Sequence, residues 1–385
     1  MSEPGKSAAG AGEGAPTTDI NRGGHLCDHP ALGSTAARRV EDSMKANRRV
    51  AAITGLAAIG LTGAMAHGSI VFAAAAGAES AAATPSWPAP TNYVETAERL
   101  VKLGTADALA TASLLRAFGA KADNQTLQLA RQASGLAPAR ADLVWLAARL
   151  CANAAGCDPA IDEAQLQKID PENGTAWLGT LARARAGSNE EAVNVALRRL
   201  ASAQRLDLYF NSLVVATAHA LTAARGTKDR PDDSMSLGHA AVEMAGILAG
   251  VVLPPFQPLA TSCSGRSLKI AGRNDLCRGV AQVFERGDTF LANRMGLSIE
   301  QRLWPPDSQE GRAVAVRRRT LQYRFETWTR VSMDPSKPSI LPDDYLDVLQ
   351  EHEREQDVAI VYLRRAGVPL EPPKGWVSSF SKNGR

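Results

Sequence analysis

Two stretches of this chain, "PARADLVWLAARLCA" (138–152) and "PENGTAWLGTLARA" (171–184), run in the same order. Each opens on Pro, reaches a Trp-Leu-small step and continues as an amphipathic run. The tryptophans, Trp145 and Trp177, and the prolines, Pro138 and Pro171, keep nearly one spacing of about 33 residues. A recurring unit of that length is a helical hairpin, and one hairpin cannot bury its apolar face alone. The chain is therefore constrained to pack helix on helix.

Composition agrees. The chain is 45% hydrophobic but only 5% aromatic, so its core must be largely Ala, Leu and Val. Ala and Leu lose least on entering a helix. Amphipathic segments are expected at about 91–104, 106–118, 123–134, 141–154, 159–169, 174–186, 189–203 and 207–224. Thr91 is the expected cap of the first, Ser188 with Glu191 forms a capping box, and Asp158 precedes Pro159 at a helix start. No run of alternating β-branched residues is long enough for a strand. The fold class is all-α.

Here the sequence resembles the tetratricopeptide family, whose pattern is W-x2-L-G-x2-Y, then A-x3-F, then P. Trp177 matches, Ala192 sits near the expected Ala, and Pro171 closes the preceding unit. Thr180 and Leu181 stand where the pattern has Leu-Gly, Ala184 replaces the Tyr and Ala196 the Phe. The similarity covers 138–206 and, more loosely, 93–225. It implies hairpins stacked as a degenerate tetratricopeptide-like solenoid with a concave groove; a non-repetitive helical bundle is the alternative. The layout also resembles exported helical proteins of Gram-negative bacteria, a resemblance that supplies no activity. In a repeat, the first helix of each hairpin lines the groove, which makes Asn153, Thr175 and Arg185 the candidate partner-contacting residues.

The N-terminal region points to export. Residues 1–43 are rich in Gly, Ala, Ser and Pro and lack any period, as expected of a disordered segment. Lys45, Arg48 and Arg49 then precede an uncharged run from Val50 to Ala78. A basic start, an apolar middle and small-x-small sites such as Ala64-Met65-Ala66 form an export signal. Starting at Met44, residues 44–83 make a cleavable signal peptide. Starting at Met1, the run at 50–76 is long enough to anchor the chain in an inner membrane, its basic flank cytoplasmic. Either way the expected location is periplasmic.

The cysteines fit that compartment. Cys27 precedes the signal, leaving Cys151, Cys157, Cys263 and Cys277. An even set in an oxidising environment reads as disulfides. Three pairings are open; proximity favours Cys151–Cys157 and Cys263–Cys277. Neither pair is C-x-x-C, so a redox role is not indicated.

Beyond Ala224 the pattern loosens. "RGTKDRPDDS" (225–234) is a charged loop, and "LPPFQPLATSCSGRS" (253–267) carries prolines that should exclude a helix. The repeat region is placed at 91–254 and a C-terminal helical region at 255–370, with helices near 274–286, 289–303, 309–331 and 342–366. Residues 371–385 form an irregular tail.

No residue set announces chemistry. His239 and Glu243 are one turn apart, but no H-E-x-x-H or Cys/His cluster accompanies them, so no metal or cofactor is expected. There is no G-x-S-x-G, P-loop or dinucleotide fingerprint. Ser379 and Lys382 spell S-x-x-K in the tail, without a helix to hold them together. Arg317, Arg318 and Arg319 precede interleaved aromatics. On a helix they fall on a solvated face, and the net charge is only +3, so nucleic acid is not an expected partner. The expectation is an exported, non-enzymatic helical-repeat scaffold that binds a protein or peptide in the envelope. The rival is a cell-envelope hydrolase with an unrecognised active site, which would show itself by a deep cleft holding a buried Glu or a His–carboxylate pair.

Overall fold

The computed structural model describes residues 92–119, 122–225, 237–332 and 344–379. The segments 1–43 and 44–83, with the 50–76 run, lie outside the described residues. No helix among the described residues is long and apolar enough to cross a membrane.

Among the described residues there are fifteen α-helices and no strand; the all-α expectation holds. The first seven are α1 (Tyr93–Leu103), α2 (Ala106–Gly119), α3 (Asn124–Leu136), α4 (Ala141–Asn153), α5 (Ala160–Ile169), α6 (Leu178–Ala186) and α7 (Glu190–Ala201). Then come α8 (Phe210–Arg225), α9 (Leu237–Val251), α10 (Gln257–Ser262), α11 (Arg273–Glu285), α12 (Phe290–Leu303), α13 (Gln309–Ser332), α14 (Tyr345–Glu351) and α15 (Glu355–Arg365). Two 3-10 turns, Gly174–Trp177 and Gly265–Lys269, precede α6 and α11.

The related stretches form the hairpins α4–α5 and α6–α7, and neighbouring helices from α1 to α7 pack in sequence. Helix α8 then turns back to lie against α1, α2 and α4, while α9 covers α2. Helix α7 meets α11 of the C-terminal region instead. The core is small-residue and aliphatic: Ala110, Ala112, Leu114, Leu146, Leu150, Leu197 and Leu213 are fully buried. Glycines permit the closest crossings. At Gly296 in α12 a Cβ would meet the backbone of Ala281 and Glu285 in α11 at 2.7 Å.

Several local expectations need correction. Asn92, not Thr91, caps α1, accepting from the Glu95 amide at 3.2 Å. Asn189 rather than Ser188 caps α7, accepting from Ala192 N at 3.0 Å. Ser188 instead turns the chain with a φ of 51°. Asp158 does accept from Ala160 N at 3.0 Å at the start of α5. The Pro-rich stretch carries a helix after all, α10, because Pro258 falls in its first turn, where its missing N–H is not needed. The expected helix at 342–366 is two helices. Its break at 352–354 lets His352 O accept from Asn211 Nδ2 at 2.9 Å, and Glu355 N donates to Asp288 O at 2.7 Å. Helix α9 arises where the periodicity had loosened.

Both local disulfides are present. Cys151–Cys157 joins the last turn of α4 to the turn before α5, with Cα atoms 5.3 Å apart. Cys263–Cys277 ties the end of α10 to α11, with Cα atoms 5.6 Å apart.

Candidate functional site

Helix α4 is apolar nearly all round, yet one stripe of it faces a groove: Trp145, Ala148, Arg149, Ala152 and Asn153. Their spacing of i, i+3, i+4, i+7 and i+8 places them on a single face. Helix α6 supplies the opposite wall with Leu178, Gly179, Ala182, Arg183 and Ala186. Glu163 of α5 and the Pro254-Pro255 segment complete a cavity of about 320 Å³. These are the first helices of the two related hairpins.

The C-terminal end of α9 and the Pro254-Pro255 stretch that follows it lie against this groove. Arg149 Nε donates to Val252 O at 3.1 Å and its Nη2 to Leu253 O at 3.3 Å. Asn153 Nδ2 donates to Val251 O at 2.9 Å. The carbonyls are at the end of α9 and just beyond it, where no intrahelical donor remains for them. Pro254 and Pro255 keep the following chain out of a helix. Arg149 itself is 8% exposed and lies 5.6 Å from the centroid of the Trp145 ring. Burial lowers its pKa to about 10.

Glu163 is 6% exposed and takes an ion pair from Arg183 Nη1 at 2.5 Å. Burial raises its carboxyl above the ordinary range, against the opposing pull of Arg183 and Arg149. Gly179 makes room for it: a Cβ there would stand 1.8 Å from Glu163 Oε1. Trp145 contributes an indole N–H that is buried and without a hydrogen-bond partner.

Of the three residues expected to contact a partner, Asn153 lies on this groove and already grips a main chain. Thr175 is buried at 1% exposure in the 3-10 turn before α6, with its hydroxyl unpartnered. Arg185 points elsewhere, pairing with Glu190 at 2.8 Å, and Glu190 also pairs with the fully buried Arg273. The structure therefore does not bring the three together. Arg149, Glu163 and Arg183 were missed by the sequence reading. The signal for Arg149 was present, four residues after Trp145 and four before Asn153 on one helical face.

A second polar cluster joins segments far apart in sequence. Tyr209, at a φ of 57°, is fixed at both ends: its amide donates to Asp207 Oδ1 at 2.7 Å and its hydroxyl to Asp170 Oδ2 at 2.5 Å. A non-Gly residue in this region is uncommon and persists where its surroundings determine it. Asn173 donates to Asp207 O at 2.8 Å, and Asp288 Oδ2 accepts from Leu208 N at 2.9 Å. Burial, then the facing Asp207 carboxylate, holds the Asp288 carboxyl well above its usual value. Glu355 accepts from Phe290 N at 2.8 Å, and burial raises its pKa to about 7. Each of these acids is committed to the chain's own loops, so the cluster is a fastening.

The other sequence signals are also absorbed by the fold. Arg317 pairs with Glu285 and Glu300, Arg318 with Gln301, and Arg319 holds the carbonyls of Pro373 and Trp376. Glu243 is bidentate to Arg225 at 2.8 and 2.9 Å. Ser379 donates to Glu326, and Lys382 lies outside the described residues. Among the described residues no group of three or more His, Cys, Asp or Glu is placed to hold a metal ion.

The chain matches no family model, and comparison with curated proteins and with solved structures returns no match.

Proposed function

We propose that the protein is an exported, non-enzymatic helical-repeat scaffold of the bacterial envelope, with a degenerate tetratricopeptide-like core whose α4/α6 groove holds a peptide or protein segment. One observation carries the reading. Arg149 and Asn153 project from one face of α4 and take three successive main-chain carbonyls, Val251 to Leu253, at the C-terminal end of α9 and just before Pro254-Pro255. Main-chain recognition is sequence-tolerant, and neighbouring pockets for side chains supply selectivity. The cavity beside the segment is such a pocket.

The envelope-hydrolase alternative draws on Glu163, a desolvated carboxyl at the cavity wall. Glycoside hydrolysis by two carboxylates needs a second acid across the cleft. Glu163 is the one carboxylate among the lining residues, and it is paired with Arg183. The scaffold reading is the better supported.

Export is tested by an alkaline phosphatase fusion after residue 90, expected to be active; an inactive fusion overturns the envelope location. Binding is tested by crosslinked pull-down from intact envelopes with mass spectrometry. Ala182→Trp, which fills the groove, should abolish the captured partner while Arg198→Ala on the exposed face of α7 leaves it. Capture unaffected by Ala182→Trp would place the partner elsewhere.

A further inference from the structure

The cavity between α4 and α6 carries more cationic than anionic groups on its wall. Its wall carries Arg149, Arg183 and Glu163, two cations and one anion. Glu163 is engaged at 2.5 Å by Arg183. No carboxylate among the described residues comes within ion-pair distance of Arg149, whose two hydrogen bonds go to neutral carbonyls. A guanidinium has five N–H donors, and those bonds use Nε and Nη2 only. Its Nη1 has no hydrogen-bond partner among the described residues. Glu163 acts on Arg149 only from beyond ion-pair distance, and a guanidinium beside an apolar cavity favours an anion of matching planar geometry.

The rest of the wall is apolar and small: Trp145, Ala148, Ala152, Leu178, Ala182, Pro254 and Pro255. At about 320 Å³ the space is at the lower end of what small-molecule sites occupy. We propose that this cavity binds a small carboxylic acid with an apolar body, its carboxylate against the Arg149 guanidinium and its hydrocarbon against the Trp145, Leu178 and Pro254-Pro255 wall. This rests on the groove being a ligand site, and it adds the chemistry of what enters it. The same carboxylate could be a free acid or the C-terminus of a peptide ending in an apolar residue. Glu163, beside the bound anion, then opposes it and sets the affinity.

The test is isothermal titration of the full chain with isocaproate, with its neutral amide, and with N-acetylleucine as the peptide-terminus probe. Isocaproate is expected to bind saturably and the amide at least about tenfold more weakly, the worth of a charge-assisted pair. Arg149→Met should abolish binding; because Arg149 also anchors the 251–253 segment, Glu163→Gln carries the decisive weight. Removing that negative charge should tighten isocaproate binding, an effect no purely structural role of Glu163 would produce. Tighter binding of N-acetylleucine than of isocaproate assigns the carboxylate to a peptide terminus, and weaker binding assigns it to a free acid. Equal affinity for acid and amide, no binding of either, or binding that Glu163→Gln leaves unchanged or weakens would overturn the proposal. Any of those results leaves the envelope pull-down intact as a separate test of the scaffold reading.

Discussion

Arg149 and Val252 are 103 residues apart, yet the guanidinium of one donates to the carbonyl of the other at 3.1 Å within the groove of the two related hairpins. Helix α4 thus holds a distant part of its own chain by main-chain contacts. Asn153 extends the grip by one carbonyl. Removing that grip should be measurable. Asn153→Ala leaves the Val251 carbonyl without its donor and is expected to lower stability by about 1–2 kcal/mol in urea unfolding. No change in the midpoint would mean that the segment is not held there.

Gly179 is expected to be intolerant of any side chain because Glu163 occupies the space its Cβ would need. Gly179→Ala should destabilise by about 1–3 kcal/mol, as overpacking does. Shortening the neighbour as well, in Gly179→Ala with Glu163→Ala, should recover much of that loss. Additive effects of the two changes would refute the contact.

Glu355 gives stability a definite pH dependence. Its folded pKa of about 7 lies above the ordinary 4.5, so folding favours the neutral acid. The resulting stabilisation is full below pH 4.5 and is lost as pH rises toward 7. The loss should be about 2 kcal/mol once the group's partial solvent access is allowed for. Glu355→Gln keeps an acceptor for Phe290 N and should flatten that decline, making the variant the more stable form at pH 8. Parallel pH profiles for the two proteins would contradict this account.

The two disulfides close short loops of six and fourteen residues in separation. Chain-entropy arguments assign them about 2 and about 3 kcal/mol respectively. Non-reducing peptide mapping should find Cys151 joined to Cys157 and Cys263 to Cys277, and Cys263→Ala with Cys277→Ala should cost more than the other double replacement. Crossed pairing would remove the local-clamp explanation.

What the sequence made legible was local. The Pro138/Pro171 and Trp145/Trp177 spacing marks hairpins whose first helices do share a groove, and near-neighbour cysteines do pair. Asn153 lies on the groove-facing side of the first hairpin helix, the element expected to line a groove. What escaped depends on contacts across long separations. The return of α8 onto α1, α2 and α4 leaves no local mark, and neither does the meeting of Asp207 with Asp288 or of Phe290 with Glu355. Pro258 misled because a proline that ends helices also begins them. The break before Glu355 is fixed by hydrogen bonds to Asp288 and Asn211, which no local propensity encodes. Thr175 lies in the 3-10 turn before α6, where its side chain is buried away from the groove, and a one-turn 3-10 segment leaves no helical period by which to read its face.

The central claim is that the α4/α6 groove is where another molecule is held. A photo-crosslinking residue introduced at Ala182, on the groove wall, and separately at Arg198, on the exposed face of α7, tests it in intact envelopes. The account predicts a discrete adduct from position 182 that is absent from position 198 and is lost when Arg149 is replaced by Met. Adducts from both positions alike, or from position 198 alone, would contradict it.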